Sequence, residues 1–197
     1  MVRVALTGGI ATGKSTVMRL LRARRIPTID ADVLAREAVA PGTPGLRALI
    51  ERFGETVLDG HGAVDRRALA ALVFSDSQAR RDLERIVHPA VYDAITRWLN
   101  DLSTQTPLAV ADIPLLFETG REGDFDRVVV VACSPEEQVR RVMARDGVTE
   151  AEARARMTAQ WPIEDKVARA DHIISTTGSL EDTERAVDHL VQTLSGA

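Results

Sequence analysis

The chain has 197 residues, of which 45% are hydrophobic and 27% charged, and its formal net charge is −4. Those proportions fit one compact soluble domain and exclude wholesale disorder. The acidic balance argues against a broad basic surface for nucleic acid, so an anionic ligand must be held by a local cluster of donors.

No apolar run reaches the length of a transmembrane helix. The first six residues carry one basic side chain and then enter a glycine-rich loop, without the apolar segment and cleavage site of a signal peptide. Cys133 is the sole cysteine, so no internal disulfide can form and a cytoplasmic location is expected.

In chain order, residues 3–7 read as a buried strand, followed by a loop and a helix whose apolar face carries Val17, Leu20 and Leu21. A second strand is expected over residues 26–30. From residue 31 to 107 only helical patterns and turns are visible, with breaks at Pro41-Gly42-Thr43-Pro44-Gly45 and Asp59-Gly60-His61-Gly62. Within that stretch His88-Pro89 reads as a helix start, ahead of a stripe formed by Val91, Ile95, Trp98, Leu99 and Leu102. Strands follow at 108–112, 127–132 and 172–175, with a helix beginning near Pro135 between the last two. A final helix is capped by Ser179 and carries Leu180, Val187, Leu190, Val191 and Leu194. Strands rich in Val and Ile alternating with helices imply an α/β fold. Its mostly parallel, five-stranded, doubly wound sheet carries helices on both faces, and one helical insert interrupts the alternation.

The strongest chemical signal is Gly8-Gly9-Ile10-Ala11-Thr12-Gly13-Lys14-Ser15, which fits G-x-x-x-x-G-K-[ST] between a strand and a helix. Its glycines let successive backbone N–H groups turn inward as an anion nest, and the helix adds the positive end of its dipole. Lys14 suits the β- and γ-phosphates of ATP, and the Ser15 hydroxyl suits Mg²⁺. The set expected to hold nucleotide is Gly8, Gly9, Ala11, Thr12, Gly13, Lys14, Ser15 and Thr16. A guanine-reading Asn-Lys-x-Asp element is absent, because the only asparagine is Asn100 and Asp101 follows it. A large motor ATPase would need far more chain. A metabolite kinase fits best.

Asp30 and Asp32 flank the end of the second strand, at the sheet edge where α/β proteins bind ligands. Asp32 reads as the group that accepts the proton of an attacking hydroxyl, or that holds Mg²⁺ through water, with Arg36 on the same helix face. A plain helix cap is its structural alternative. Asp112 ends the run Leu108-Ala109-Val110-Ala111 and can likewise organise Mg²⁺ and its waters, or bond to the phosphate loop. Arg140, Arg141 and Arg145 supply guanidinium groups on the helix after the fourth strand, suited to charge that develops during phosphoryl transfer. No zinc site is indicated, since His88 has no second His or Cys at ligand spacing.

Together these elements resemble the dephospho-CoA kinase family from end to end. The matching residues are Thr7 to Ile10 with Gly13 to Thr16, Ile29 to Asp32 with Ala35-Arg36, and residues 39–42. Asp65-Arg66 with Leu69, His88-Pro89, residues 112–118, Arg145-Asp146, and Gln160 with Lys166 continue the match. The resemblance implies a P-loop NTPase fold and transfer of the ATP γ-phosphate to the ribose 3′-hydroxyl of dephospho-CoA, the last step of coenzyme A synthesis. It implies a sheet core (1–30, 108–135, 170–197), a CoA-binding insert (31–107) and a helical lid (136–169). Asp32, Lys14 and Arg140 become the expected catalytic residues. Arg145 joins the nucleotide set, and Asp32, Arg36, His88, Asp112 and Leu115 form the substrate set. The expected partners are ATP and dephospho-CoA, with neither nucleic acid nor membrane. The chain departs from the family pattern at Ala11, usually glycine, and at Thr176, often asparagine. Kinases for a nucleoside monophosphate, shikimate or gluconate share the phosphate loop but should lack the Asp-Ala-Asp and Asp-Ile-Pro-Leu-Leu-Phe-Glu pair. A nucleotide-binding regulator without turnover is opposed by Lys14, Ser15, Asp32 and Asp112 all being intact.

Overall fold

The computed structural model describes residues 1–102 and 106–196, apart from the Ser75 side chain. In chain order it runs β1 (Val2–Gly8), α1 (Lys14–Ala23), β2 (Thr28–Asp30), α2 (Ala31–Ala38), α3 (Pro44–Phe53), α4 (Arg66–Ser75) and α5 (Ser77–Asp101). After these come β3 (Leu108–Asp112), β4 (Arg127–Ala132), α6 (Pro135–Asp146), α7 (Glu150–Thr158), α8 (Ile163–Val167), β5 (His172–Ser175) and α9 (Leu180–Ser195). The chain divides into two compact units, Met1–Asp30 with Leu102–Ala197, and Ala31–Asp101.

The first unit is built on a five-stranded sheet of order β2-β3-β1-β4-β5, with every neighbouring pair parallel. A parallel sheet is buried on both faces, which is why its strands read as near-continuous apolar runs. Val4 and Leu6 of β1, Leu108 and Val110 of β3, Val129 and Val131 of β4 and Ile174 of β5 share one cluster. Val17, Met18, Leu20 and Leu21 of α1 and Val187, Leu190 and Leu194 of α9 pack into it. Residues between these positions, such as Ala5, Ala109, Ala111 and Val130, are buried too. The chain leaves β1 toward β3 and β2, whereas β4 leads on to β5 on the other side. The topological switch point therefore lies between β1 and β4, and their C-terminal ends open a crevice there.

The second unit is helical, with Leu49, Val57 and Leu69 at its centre and Val39, Phe53, Val64, Leu72, Val73 and Leu83 around them. Thr43 and Asp65 cap α3 and α4 by accepting from backbone N–H groups of the first turn. Residues 103–105 of the expected insert lie outside the described residues.

Three expectations are corrected. The second strand is only Thr28–Asp30. The Ile26 N–H donates to the Leu21 carbonyl, finishing the turn after α1, and Pro27 has no N–H to give a ladder. Pro89 does not begin a helix but lies inside α5, whose true start is Ser77, where Asp76 accepts from the Gln78 and Ala79 N–H groups. The helix forgoes one backbone bond at Pro89 and is held by buried Ala79, Val91, Ile95 and Leu99. The region between the second and third strands is not wholly helix and turn, because Leu58 and Val64 form an antiparallel bridge closed by the Asp59 turn. Among the described residues no helix is long and apolar enough to cross a membrane.

Leu21 is fully buried between α1 and the sheet, whereas Ser179 only caps α9 with Asp182 in a reciprocal capping box. In urea unfolding, Leu21→Ala should cost about 3 kcal/mol and Ser179→Ala about 1 kcal/mol. Equal costs would contradict this assignment of the core.

Candidate active site

The loop after β1 enters the switch-point crevice and ends at Gly13, which caps α1 with φ 89° and no side-chain cap bond. With no acidic residue in its first turn either, α1 presents its leading N–H groups to an anion. Ala11 also sits in the left-handed region, at φ 57°. Glycine would adopt that conformation freely, whereas alanine holds it against roughly 1–2 kcal/mol of strain.

The loop is braced from several sides. Buried Thr12 donates through Oγ1 to the Gly9 carbonyl at 3.0 Å. Buried Thr176, just past β5, donates to the Thr12 carbonyl at 2.6 Å, and its methyl lies 3.2 Å from where a Cβ on Gly13 would stand. Arg141 of α6 donates to the Thr176 carbonyl (2.7 Å), the Thr176 hydroxyl (3.0 Å) and the Ala11 carbonyl (3.4 Å). Gln138 and Gln160 bond to the two ends of Ile10.

Lys14 Nζ lies 2.5 Å from Asp112 Oδ1, with both side chains largely buried. Asp112 ends β3 in register with Leu6 on one side and Asp30 on the other. The sheet thus brings Lys14, Asp112 and Asp30 to one edge. Ser15 is exposed in the first turn of α1, with Thr16 behind it. Beyond β3, Lys166 is completely buried and pairs with Glu118 at 2.7 Å, while the Pro114 carbonyl accepts from the Thr7 hydroxyl (3.1 Å) and Lys166 (3.3 Å). Leu115 of this segment is exposed.

The other expected residues are engaged within their own elements. Arg140 is on the outer face of α6, doubly bonded to Glu137 at 2.6 and 2.7 Å. Arg145 is paired with Asp146, which also receives Arg156. Of the three arginines on this helix, Arg141 is the one that reaches the phosphate loop. In the helical unit, Asp32 stands in the first turn of α2 and Arg36 in its last, and His88 packs edge-on against Tyr92 within α5. Sequence reasoning missed Gln138 and the bracing role of Thr176. The one available signal was the i, i+3 spacing that puts Gln138 on the face of Arg141. Cys133 is buried, which pushes its thiol pKa up and keeps it protonated.

A strand, an anion-binding loop and a helix carrying Lys and Ser, at the switch point of a parallel five-stranded sheet, define a P-loop kinase. The chain belongs to the dephospho-CoA kinase family, whose model matches residues 2–182. The dephospho-CoA kinase of Anaeromyxobacter dehalogenans is 50% identical over 98% of this chain and 92% of its own. A crystal structure from Thermus thermophilus aligns with a TM-score of 0.85 and 44% identity over 98% and 97% of the two chains. Dephospho-CoA kinase from Campylobacter jejuni aligns at TM-score 0.75 and 28% identity with the same coverage.

The guanidinium groups of Arg140 and Arg141 hold the Glu137 carboxyl at a pKa of about 2, below its ordinary 4.5. A depressed carboxylate stabilises the fold above its ordinary pKa, and that contribution disappears as pH falls through the folded value. Glu137 should therefore stay ionised on Arg141 throughout the neutral range. Carboxyl carbon NMR should show its midpoint at about 2, and a midpoint at the ordinary carboxylate value would contradict the pairing.

Proposed function

We propose that this chain transfers the γ-phosphoryl group of ATP to the ribose 3′-hydroxyl of dephospho-CoA, releasing coenzyme A and ADP. The observation that carries this reading is the intact phosphate loop, with Lys14 and Ser15 at the sheet edge, in a chain that matches the family over residues 2–182.

The β- and γ-phosphates of ATP enter the loop at the leading end of α1, and Lys14 exchanges its carboxylate partner for phosphate oxygens. The 3′-oxygen forms a bond to the γ-phosphorus as the bond to the bridging β–γ oxygen breaks, and the hydroxyl proton passes to Asp32. Because such transfers are loose, Asp32 acts as much by placing the hydroxyl as by taking its proton. Arg36, one helical turn from Asp32, is assigned to the same acceptor, along with His88 and Leu115. Charge on the transferring group is met by Lys14 and by an arginine of α6, and Arg141 is better supported than Arg140 because it already touches the loop.

Among the described residues no group of three or more His, Cys, Asp or Glu could hold a metal. The exposed Ser15 hydroxyl and the Asp112 carboxylate are hard oxygen donors and fit a Mg²⁺ that keeps most of its ligands as water and phosphate. Bound there, Mg²⁺ would neutralise charge on the β- and γ-phosphates. Residues 31–107 are assigned to binding the CoA portion and residues 136–169 to a lid. The cytoplasm is the assigned compartment, in keeping with one unpaired cysteine. The assigned partners are the two small molecules alone, without nucleic acid.

A purified-protein assay of ADP release with ATP–Mg²⁺ should show turnover with dephospho-CoA and a product phosphorylated at the 3′-hydroxyl. Turnover with AMP or shikimate but none with dephospho-CoA would overturn the reading. In the same assay Asp32→Asn should lower turnover by about 10²-fold with ATP binding nearly unaltered. If Asp30→Asn loses turnover while Asp32→Asn keeps it, the base is Asp30.

A further inference from the structure

Two glutamines, Gln138 and Gln160, bond to the two successive peptide units that flank Ile10 in the phosphate loop. Gln138 Nε2 donates to the Ile10 carbonyl at 2.7 Å, and the Ile10 N–H donates to Gln160 Oε1 at 2.8 Å. We infer that Gln138 and Gln160 are positioning residues for catalysis, a clasp that fixes the Ile10 backbone and couples the α6–α7 helix pair to the phosphate-binding conformation. The inference rests on the nucleotide site described above and adds to it two residues that touch neither the phosphates nor the acceptor.

Four observations carry it. The contacts are on backbone, and each amide's orientation is dictated, because a carbonyl requires a donor and an N–H an acceptor. Gln138 is 3% exposed, and a buried amide in this position is held to its partner by the cost of leaving either group unbonded. A Cβ on Gly9 would stand 2.5 Å from Gln138 Nε2, so the amide lies directly on the loop where only glycine leaves it room. Ile10 and Ala11 pack against buried Val139, Val142 and Ala153, as do Val148 and Met157, so the tip of the loop is also part of the small core of α6 and α7.

The other end of the clasp is anchored as firmly. Trp161, the next residue after Gln160, donates its N–H to Glu118 at 3.0 Å and stacks on Phe117 with centroids 6.1 Å apart. Glu118 is in turn fixed by fully buried Lys166. Gln160 is thus held against the segment that follows Asp112. The residue after the clasped peptide is Ala11, in the left-handed conformation. Holding Ile10 at both ends sets the peptide plane that enters Ala11, and through it the direction of the N–H groups that follow. Motion of α6 and α7 is transmitted to those groups by the same two amides.

The polarity of the clasp gives a test that a mere packing role would not pass. Gln160→Glu keeps an acceptor for the Ile10 N–H, whereas Gln138→Glu removes the donor and sets a carboxylate against a carbonyl. Each adds a carboxylate beside one of the two peptides that flank Ile10, the one at 138 being the more buried, so Gln138→Met, which removes the donor without adding charge, should show the same loss as Gln138→Glu. With ATP–Mg²⁺ varied at saturating dephospho-CoA, Gln138→Glu should lose about tenfold or more in kcat/KM relative to Gln160→Glu. The KM for dephospho-CoA should be the same in both. Equal losses in the two variants would overturn the clasp. Should Gln138→Glu fail to fold, amide hydrogen exchange decides. The Ile10 N–H should be protected in the unaltered protein and should exchange about tenfold or more faster in Gln160→Met, and an Ile10 N–H already in rapid exchange would overturn the proposal. Turnover of the unaltered protein with dephospho-CoA tests the function separately, so failure of the clasp and failure of the reaction are distinguishable.

Discussion

A loop that turns successive N–H groups toward one point must hold conformations that an isolated chain avoids, and the rest of this structure serves that constraint. Ala11 and Gly13 are both left-handed, and only Gly13 is so without strain. The loop keeps its shape because its carbonyls are occupied, one from within the loop and three by residues elsewhere in the fold. Gly9 bonds to Thr12, Ile10 to Gln138, Ala11 to Arg141 and Thr12 to Thr176. With those oxygens engaged, the loop is held in the shape that presents the leading end of α1 to the ligand. Electrostatic preorganisation of this kind lowers a barrier without rearrangement at the moment of reaction.

The braces come from elements that the sheet topology delivers to one place. The loop leaves β1, α6 follows β4, and Thr176 follows β5, so three adjacent strands end beside each other. On the other flank β3 brings Asp112 against Lys14. A largely buried ion pair contributes little net stability, because desolvation offsets its attraction. Its value here is placement. Lys14 is held on Asp112 at the end of β3, where incoming phosphate replaces one anionic partner with another.

Much of this architecture was legible in the sequence because its signals are local. Strands 108–112, 127–132 and 172–175 were readable from their apolar runs, the phosphate loop from eight consecutive residues, and the Ser179 cap from its place before an amphipathic stripe. What was not legible depends on distant partners. Nothing near Gln138 or Thr176 reveals that each lies on a loop well over a hundred residues away. Lys166 is a charged residue in a short helix, and only the fold shows it fully buried on Glu118. Arg140 and Arg141 are neighbours of the same type, so composition could not tell which would turn inward. Pro89 was misread because a proline at the first helical position and one inside a packed helix carry the same local signature.

The family's chemistry then follows from one charged group at the centre of a braced frame. Lys14 supplies the point charge, and the surrounding carbonyl bonds supply the geometry that makes it effective. The most direct measurement is turnover of Lys14→Ala with ATP–Mg²⁺ and dephospho-CoA, set beside its thermal melting. The account predicts that turnover falls by about 10²–10³-fold or more while the protein still melts cooperatively, at a temperature lowered by the loss of the buried cationic partner of Asp112. Turnover within about tenfold of the original, or a collapse of the fold that accounts for the whole loss, would contradict it.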